Sequence, residues 1–116
     1  MPQVDFAKPL YIAKAELFRA LGHPARIRVL ELLVERDQTV SELQAELGLE
    51  SSALSQQLGI LKRIGLVASQ RKANTVTYRL TDPCVSAFLA AARSVLSATL
   101  DRSRQALKDL EAVAES

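Results

Sequence analysis

The chain has 116 residues, of which 48% are hydrophobic and 24% charged, and its formal net charge is +2. This length suits one domain with one core, and the composition is that of an ordinary globular protein. A single cysteine excludes a disulfide scaffold within the chain. Aromatic residues make up only 4% of the chain, so the core is predicted to consist of aliphatic side chains, which favours helices.

Neither end of the chain has the composition of a targeting or membrane segment. The first five residues lack a basic stretch followed by an apolar one, so no secretory signal is predicted. The longest uncharged run in the C-terminal region, residues 83–92, has about half the length that a membrane span needs. We therefore expect a cytoplasmic protein that does not bind membranes.

Positive charge is concentrated in the middle of the chain. Residues 51–81 contain five lysine and arginine residues and no acid, whereas the segments on either side carry slightly more acidic than basic residues. Such a basic segment is typical of a surface that binds a polyanion such as nucleic acid, although a solvated face has the same composition.

Two helices are predicted before residue 36. Apolar residues at spacings of three and four predict the first over 5–21. Pro24 suits the first position of a second helix over 24–35, and His23 is expected to be a hydrogen-bonding residue at its start. The side chains predicted to face inward from the second helix are Ile27, Leu30 and Val34.

The next two helices are short and separated by a glycine. Thr39 and Glu42 have the spacing of a capping box, in which each side chain accepts from the other residue's backbone N–H. Gly48 suits the left-handed conformation that ends the helix. A further helix is predicted over 51–64, and residues 39–64 together are typical of a helix-turn-helix. The apolar residues predicted to be buried on the second of these helices are Leu54, Leu58 and Leu61.

After residue 65 the apolar period changes from that of a helix to that of a strand. Alternating and β-branched residues predict a hairpin over 66–80, with strands at 66–71 and 75–80. The loop between them, 72–74, contains Asn74, which tolerates a left-handed conformation.

A long helix is predicted at the C-terminal end. Asp82 suits its N-cap and Pro83 its first position, and an apolar stripe continues over 83–114. A helix of that length, at 1.5 Å per residue, exceeds what so small a domain can cover. The stripe therefore predicts a partner helix, most simply one from a second copy of the chain.

This order of elements resembles that of the ArsR/SmtB family of winged-helix repressors. The resemblance extends over residues 15–82. It is carried by the segments 20–33 (ALGHPARIRVLELL), 39–43 (TVSEL), 54–61 (LSQQLGIL), 65–67 (GLV) and 78–80 (YRL).

The resemblance implies a fold, a partner and an activity. The fold is mainly α with a small β-hairpin, a single winged helix-turn-helix domain over 1–116 in the order α-α-α-α-β-β-α. Helices 5–21 and 83–114 would form a homodimer, the 51–64 helix would enter the major groove, and the 67–80 hairpin would be the wing. The activity implied is repression from a palindromic operator in double-stranded DNA. No cofactor is predicted from this chain's own residues.

Residue chemistry supports this interface. Glutamine can form two hydrogen bonds to adenine, serine can bond any base, and cations suit phosphate. The residues expected to contact DNA are Ser51, Ser52, Ser55, Gln56 and Gln57 at the start of the helix, Lys62 and Arg63 at its end, and Arg71, Lys72 and Asn74 at the hairpin tip. The alternative is an ordinary solvent-exposed helix face, which has a similar polar composition without binding DNA.

Three residues near this interface have a different or open assignment. Glu50 stands where the family often has serine, so its carboxylate would repel phosphate unless it caps the helix. The ring of Tyr78 is expected to pack beneath the hairpin. Arg26 is left open, as a partner for an acid or a phosphate.

Neither type of metal site known in the family is predicted. One type uses Cys-x-Cys before the helix-turn-helix, and residues 35–42 contain no cysteine. The other begins with Asp-x-His, for which the chain has Asp82 and Cys84. The later ligand positions hold Val95 and Ala98, which cannot bind a metal.

Cys84 has two interpretations. It can be a small buried apolar residue, or a redox or thiol-reactive sensor whose pKa the helix N-terminus lowers. No nucleophile–base pair, phosphate-binding glycine loop or catalytic acid pair is recognisable, so the protein is not expected to be an enzyme. The alternatives to a simple repressor are a ligand-responsive sensor acting through Cys84, and a winged-helix interaction module that does not bind DNA.

Overall fold

Five helices and three short strands form within residues 7–115, the part of the chain that this computed structural model describes. The helices are α1 (Leu10–Leu21), α2 (Pro24–Glu35), α3 (Val40–Leu47), α4 (Ser51–Arg63) and α5 (Cys84–Glu115). The strands are β1 (Gln38–Thr39), β2 (Val67–Lys72) and β3 (Thr75–Leu80). The predicted winged helix-turn-helix order is confirmed, with one added strand.

The α1 helix begins later than predicted. Its first residue is Leu10, and Pro9 stands at the N-cap with an extended backbone. A proline inside the helix would remove a hydrogen bond and collide with the preceding turn, so the predicted start at residue 5 was wrong over residues 7–9. Residues 5 and 6 of the predicted helix lie outside the described part of the chain.

His23 begins α2 in the predicted way. Its Nδ1 accepts a hydrogen bond from the Ala25 backbone N–H at 3.1 Å, which satisfies one of the N–H groups that a helix start leaves free. Arg26, left open from the sequence, donates from Nη1 to the Ala20 carbonyl at 2.7 Å. Arg26 therefore joins the end of α1 to α2, and it forms no ion pair with an acid among residues 7–115.

The core contains almost only leucine and valine. Its buried side chains are Leu21, Val29, Leu30, Leu32, Leu33, Leu43, Leu54, Leu58, Leu61, Val67 and Val85. The prediction that Val34 faces inward was wrong, because Val34 is 41% exposed. The buried stripe of α2 is centred nearer Val29 and Leu33, which places Val34 at its edge.

Both ends of α3 form as the sequence predicts. Thr39 Oγ1 accepts from the Glu42 N–H at 3.1 Å, and Glu42 Oε1 accepts from the Thr39 N–H at 2.9 Å. Gly48 ends α3 at a φ of 64° and a ψ of 26°. Other residues adopt this left-handed conformation only at a cost in free energy, so the glycine fixes the angle of the turn.

The sheet contains a strand that the sequence did not reveal. Its order is β1-β3-β2, and β1 pairs Gln38 with Tyr78 and Thr39 with Thr77. Two residues are too few to show an alternating pattern. Gln38 is 2% exposed, and its Nε2 donates to the Leu32 carbonyl at 2.7 Å, so β1 connects the end of α2 to β3.

The hairpin turns at a different residue from the one expected. Lys72 pairs with Thr75, which leaves a two-residue turn at Ala73 and Asn74. Ala73, not Asn74, is left-handed, with a φ of 55°. Because a two-residue hairpin turn usually needs a positive φ at its first position, the short connection imposes this conformation on alanine.

The α5 helix begins at Cys84, one residue after the predicted start. Asp82 Oδ1 accepts from the Cys84 N–H at 2.8 Å, so the predicted cap is confirmed. The chain divides after Val85 into two compact units. The second unit is the rest of α5, whose apolar stripe is exposed in the single chain, with Leu96 60% exposed.

By length and composition alone, α5 is also long and apolar enough to cross a membrane. The uncharged run of residues 83–92 understates this, because the apolar stripe continues beyond Arg93. A single helix of this kind is weak evidence, since a helix covered by protein has the same composition. The absence of membrane binding therefore stays a prediction.

Candidate nucleic-acid interface

The outward face of α4 is fixed by the face that it buries. Leu54, Leu58 and Leu61 are at most 1% exposed and recur at the spacing of one helical stripe. The other side of the first two turns therefore faces outward. The exposed polar residues there are Ser51, Ser52, Ser55 and Gln56.

Gln57 differs from its neighbours on α4. It is half-buried, and its Oε1 is buried without a hydrogen-bond partner. A base contact through that oxygen would require the side chain to move. The structure thus presents Ser55 and Gln56 more openly than Gln57.

Glu50 occupies the N-cap position of α4, but its side chain makes no capping hydrogen bond. Of the two alternatives for this residue, capping by its carboxylate is therefore wrong. The Glu50 main-chain oxygen accepts from the Leu54 N–H at 3.0 Å, so the helix starts there through the backbone alone. The exposed carboxylate lies near the positive end of the helix dipole, which favours a negative charge.

The end of α4 is connected to the hairpin through Lys62. Its Nζ donates to the Ser69 hydroxyl oxygen at 2.8 Å. Arg63, the next residue, is exposed and ends the helix. Both cations are also favoured at this position by the negative end of the helix dipole.

The hairpin tip carries the remaining cations. Arg71, Lys72 and Asn74 are all exposed. Within residues 7–115, none of the ion pairs involves a lysine or arginine of the acid-free segment 51–81. No carboxylate in the described part of the chain therefore pairs with the cations of this segment.

A groove of about 460 Å³ separates α4 from the hairpin. We call it the α4–hairpin groove. Its lining includes Ser55, Gly59 and Lys62 from α4 and Ser69, Arg71 and Tyr78 from the hairpin. Tyr78 is half-buried there, which agrees with the expectation that its ring packs beneath the hairpin.

The structure contradicts one of the two interpretations of Cys84, that of a small buried apolar residue. Cys84 is exposed rather than buried. A hydrogen bond with the Asp82 side chain raises the pKa of its thiol above the ordinary value of 9.0, and desolvation and the Asp82 charge act in the same direction. The expected lowering of the pKa by the helix N-terminus was therefore wrong, because the capping carboxylate outweighs it.

No metal centre is formed by the described residues. Within 7–115 no group of three or more histidine, cysteine, aspartate or glutamate side chains could hold a metal ion. Asp82 and Cys84 are adjacent through their hydrogen bond, and Val95 and Ala98 offer no ligand atoms.

Comparison with known proteins places this arrangement among regulators. Residues 23–69 match the family model described as "Bacterial regulatory protein, arsR family". An uncharacterized HTH-type transcriptional regulator of Mycobacterium tuberculosis, Rv0081, is 52% identical over 107 residues, covering 91% of this chain and 94% of the relative. Its crystal structure superposes with a TM-score of 0.77 at 54% identity, covering 82% of this chain and 96% of that chain.

Two further relatives extend the comparison. The biofilm growth-associated repressor of Xylella fastidiosa is 40% identical over 68 residues, covering 59% of this chain and 60% of the relative. The solution structure of the homodimeric winged helix-turn-helix DNA-binding domain of Mb0332 from Mycobacterium bovis has a TM-score of 0.73. It is 26% identical and covers 86% of this chain and 93% of that domain.

Proposed function

We propose that this chain, which belongs to the ArsR family of DNA-binding transcriptional regulators, is a cytoplasmic homodimeric repressor that binds a palindromic operator. Members of this family are regulators and not enzymes. The observation that carries the proposal is the acid-free surface formed by α4 and the hairpin. Its cations are exposed and lack carboxylate partners among residues 7–115.

Base recognition is assigned to the first two turns of α4. In a helix-turn-helix the N-terminal residues of the second helix reach the base edges in the major groove. Gln56 suits adenine, and a serine suits any base. The full set assigned to bases is Ser51, Ser52, Ser55, Gln56 and Gln57, of which Gln57 has the least accessible amide.

Phosphate binding is assigned to the end of α4 and to the hairpin tip. Lysine and arginine contacts to phosphate position a protein on the duplex without reading its sequence. Their binding also releases counterions, which makes the affinity fall with salt. The residues assigned to phosphate are Lys62, Arg63, Arg71, Lys72 and Asn74.

The homodimer is proposed because both terminal helices expose large apolar side chains. On α1, Leu10 is 70% and Phe18 58% exposed, and on α5 Leu96 is 60% exposed. Exposed apolar surface of this extent marks an interaction site. We propose that two copies bury these helices against each other, and that each copy is a single winged helix-turn-helix domain over 1–116. The Mb0332 domain, described as homodimeric, supports this proposal.

A second copy is a better partner for α5 than lipid. Its exposed apolar stripe includes Val95, Leu96, Leu100, Leu107 and Leu110. Charged residues interrupt the apolar sequence of this continuous helix at Arg93, Asp101 and Arg102. Ionised side chains are costly inside a bilayer, so we propose that the protein does not bind membranes.

Two other functions have less support. A sensor that acts through Cys84 needs a reactive thiolate, and the raised pKa of that thiol opposes one at neutral pH. A winged-helix module that binds only proteins would have no need for an acid-free segment.

A titration of labelled duplex with the purified protein tests the DNA-binding part of this proposal. The duplex carries the DNA upstream of the protein's own gene, and binding is followed by fluorescence anisotropy at several salt concentrations. We expect saturation at two chains per site and an affinity that falls steeply with salt. Light scattering of the free protein should give twice the 12.7 kDa chain mass. Affinity that does not change with salt would contradict the phosphate contacts.

Repression is tested in cells with a reporter placed behind the same DNA. Deleting the gene for the protein should raise reporter expression, and restoring it should lower expression again. A fall in expression on deletion would show an activator and overturn this part of the proposal.

A further inference from the structure

Gly59 lies in the interior of α4, where no interaction within the described part of the chain requires a glycine. Glycine in a helix interior destabilises a protein relative to alanine, because its backbone loses more freedom on folding. Its φ is not positive, since the positive-φ glycines are Gly48 and Gly65. Beyond its chain neighbours and the backbone of its own helix, a Cβ added at Gly59 would meet no atom within 4 Å. Neither backbone conformation nor internal packing therefore requires glycine at this position.

The place of Gly59 in the fold suggests an external reason. It is exposed and lines the α4–hairpin groove. Ser55 lies one turn before it and Lys62 about one turn after it, so these three residues share the face of α4 that lines the groove. Arg71 and Ser69 line the opposite side of the groove, on the hairpin.

The chemistry of the groove suits a phosphodiester strand. Lys62 and Arg71 bring two cations to it, and no ion pair within residues 7–115 engages either of them. Lys62 has three N–H donors and uses one of them for Ser69, so two remain for an anion. An acidic backbone is therefore favoured over an apolar or cationic ligand.

The proposed function places such a strand at this groove. When α4 lies in the major groove and the hairpin lies over the neighbouring minor groove, the backbone between the two grooves passes across the gap between α4 and the hairpin. We infer that Gly59 is a positioning residue for DNA, because its missing side chain lets this backbone settle against α4 within reach of Lys62 and Arg71. This inference rests on the proposed function.

Two substitutions test it, Gly59→Ala and Gly59→Leu. The free chain has room for a Cβ at this exposed position, and both residues favour helix, so the midpoint of thermal unfolding should rise by a few degrees. Affinity for duplex DNA should nevertheless fall, by about tenfold for leucine, whose side chain would hold the backbone away from Lys62, and by less for alanine. The effect should be the same for the operator and for a random duplex, because binding to the DNA backbone carries no sequence information.

A matched control is Ala45→Leu, which adds a side chain at an exposed position of α3 outside the groove lining. It should leave DNA affinity unchanged. If the unsubstituted protein binds duplex DNA and Gly59→Leu binds equally well, the inference is overturned while the proposed function stands. A weakening confined to the operator would also overturn it, since Gly59 would then lie at a base. If the unsubstituted protein binds no duplex, the proposed function itself fails.

Discussion

The ammonium group of Lys62 donates to the hydroxyl oxygen of Ser69 across 2.8 Å, which connects the last turn of α4 to β2 through side chains. The backbone strengthens the same junction. The Leu66 N–H donates to the Leu61 carbonyl at 3.0 Å, and the Thr81 hydroxyl donates to the Gly65 carbonyl at 2.7 Å. Three hydrogen bonds therefore connect the proposed base-reading helix to the proposed phosphate-binding hairpin.

Replacing Ser69, which accepts the hydrogen bond from Lys62, tests whether this connection matters for DNA binding. Ser69→Ala should change the free energy of unfolding by less than about 0.5 kcal/mol, because the hydrogen bond is exposed. DNA affinity should fall a few-fold, since Lys62 would no longer be held at the groove. Ser69→Thr keeps the hydroxyl and should bind normally. Equal affinities of the alanine and threonine variants in an anisotropy titration would contradict the role of this hydrogen bond.

Phosphate binding and base recognition should respond differently to substitution. Replacing Arg71 and Lys72 by alanine should weaken binding to all duplexes, and should reduce the slope of log affinity against log salt by about 0.9 for each phosphate that is no longer neutralised. Gln56→Ala should instead lower the preference for the operator over random DNA and leave that slope unchanged. Titrations of both variants on both duplexes check this. Parallel effects in the two variants would contradict the assignment of separate roles.

The capping box at the start of α3 should make the free energy of unfolding depend on pH in the acidic range. The Thr39 backbone N–H, which donates to the Glu42 carboxylate, holds the pKa of Glu42 below its ordinary value of 4.5, and the Arg36 guanidinium lowers it further. The stabilisation is therefore fully present above about pH 4.5 and is lost as the pH falls through the lowered pKa. Glu42→Gln keeps the capping geometry but not the charge.

Urea unfolding of both proteins at several pH values measures this effect. The unsubstituted protein should be more stable than Glu42→Gln at neutral pH, and the difference should vanish in acid. A difference that stays constant down to low pH would show that the carboxylate charge contributes nothing.

The hairpin turn stores a small amount of backbone strain. Ala73 has a φ of 55°, and a left-handed conformation costs alanine about 1–2 kcal/mol. Ala73→Gly should therefore raise the free energy of unfolding by about 0.5–1 kcal/mol, after the greater freedom of unfolded glycine is taken into account. The same change at Ala45, inside α3, should lower it by about 1 kcal/mol. A fall in stability at both positions in denaturant titrations would contradict the strain at Ala73.

The Asp82 carboxylate should suppress the reactivity of Cys84. Its hydrogen bond and charge raise the pKa of the thiol, so only a small fraction is thiolate at neutral pH. Asp82→Asn retains an oxygen that can cap the Cys84 N–H but removes the charge. Alkylation of Asp82→Asn by iodoacetamide should therefore be faster at pH 7, with a lower midpoint in its pH dependence. Identical rates for the two proteins would show that Asp82 does not control the thiol.

Local rules predicted the helix-turn-helix well. The capping pair Thr39 and Glu42, the left-handed Gly48 and the leucine stripe of α4 each act over a few residues, so their effect can be derived from spacing alone. His23 is similar, because its hydrogen bond reaches only two residues along the chain. The residues assigned to DNA from the sequence are mostly exposed on this frame, with Gln57 as the exception.

Features that depend on distant parts of the chain were not predicted. Strand β1 exists because Gln38 meets Tyr78, which lies 40 positions later. Val34 is exposed because the neighbouring helices determine which side of α2 is buried. The spacing of apolar residues within α2 does not determine that side. Ala73 is left-handed because of the register in which β2 pairs with β3. The tendency of asparagine to adopt this conformation pointed instead to Asn74, because it takes no account of that register. The exposure of Cys84 likewise depends on packing and not on its residue type.

The central claim is that the surface formed by α4 and the hairpin binds a palindromic operator as a dimer. A nuclease footprint on the DNA upstream of the protein's own gene, repeated over a salt series, tests this most directly. We expect a protected region with two symmetric halves whose centres lie a whole number of helical turns apart, and protection that disappears as salt is raised. Absence of protection at low salt, or protection of one unpaired half-site that salt does not weaken, would contradict the claim.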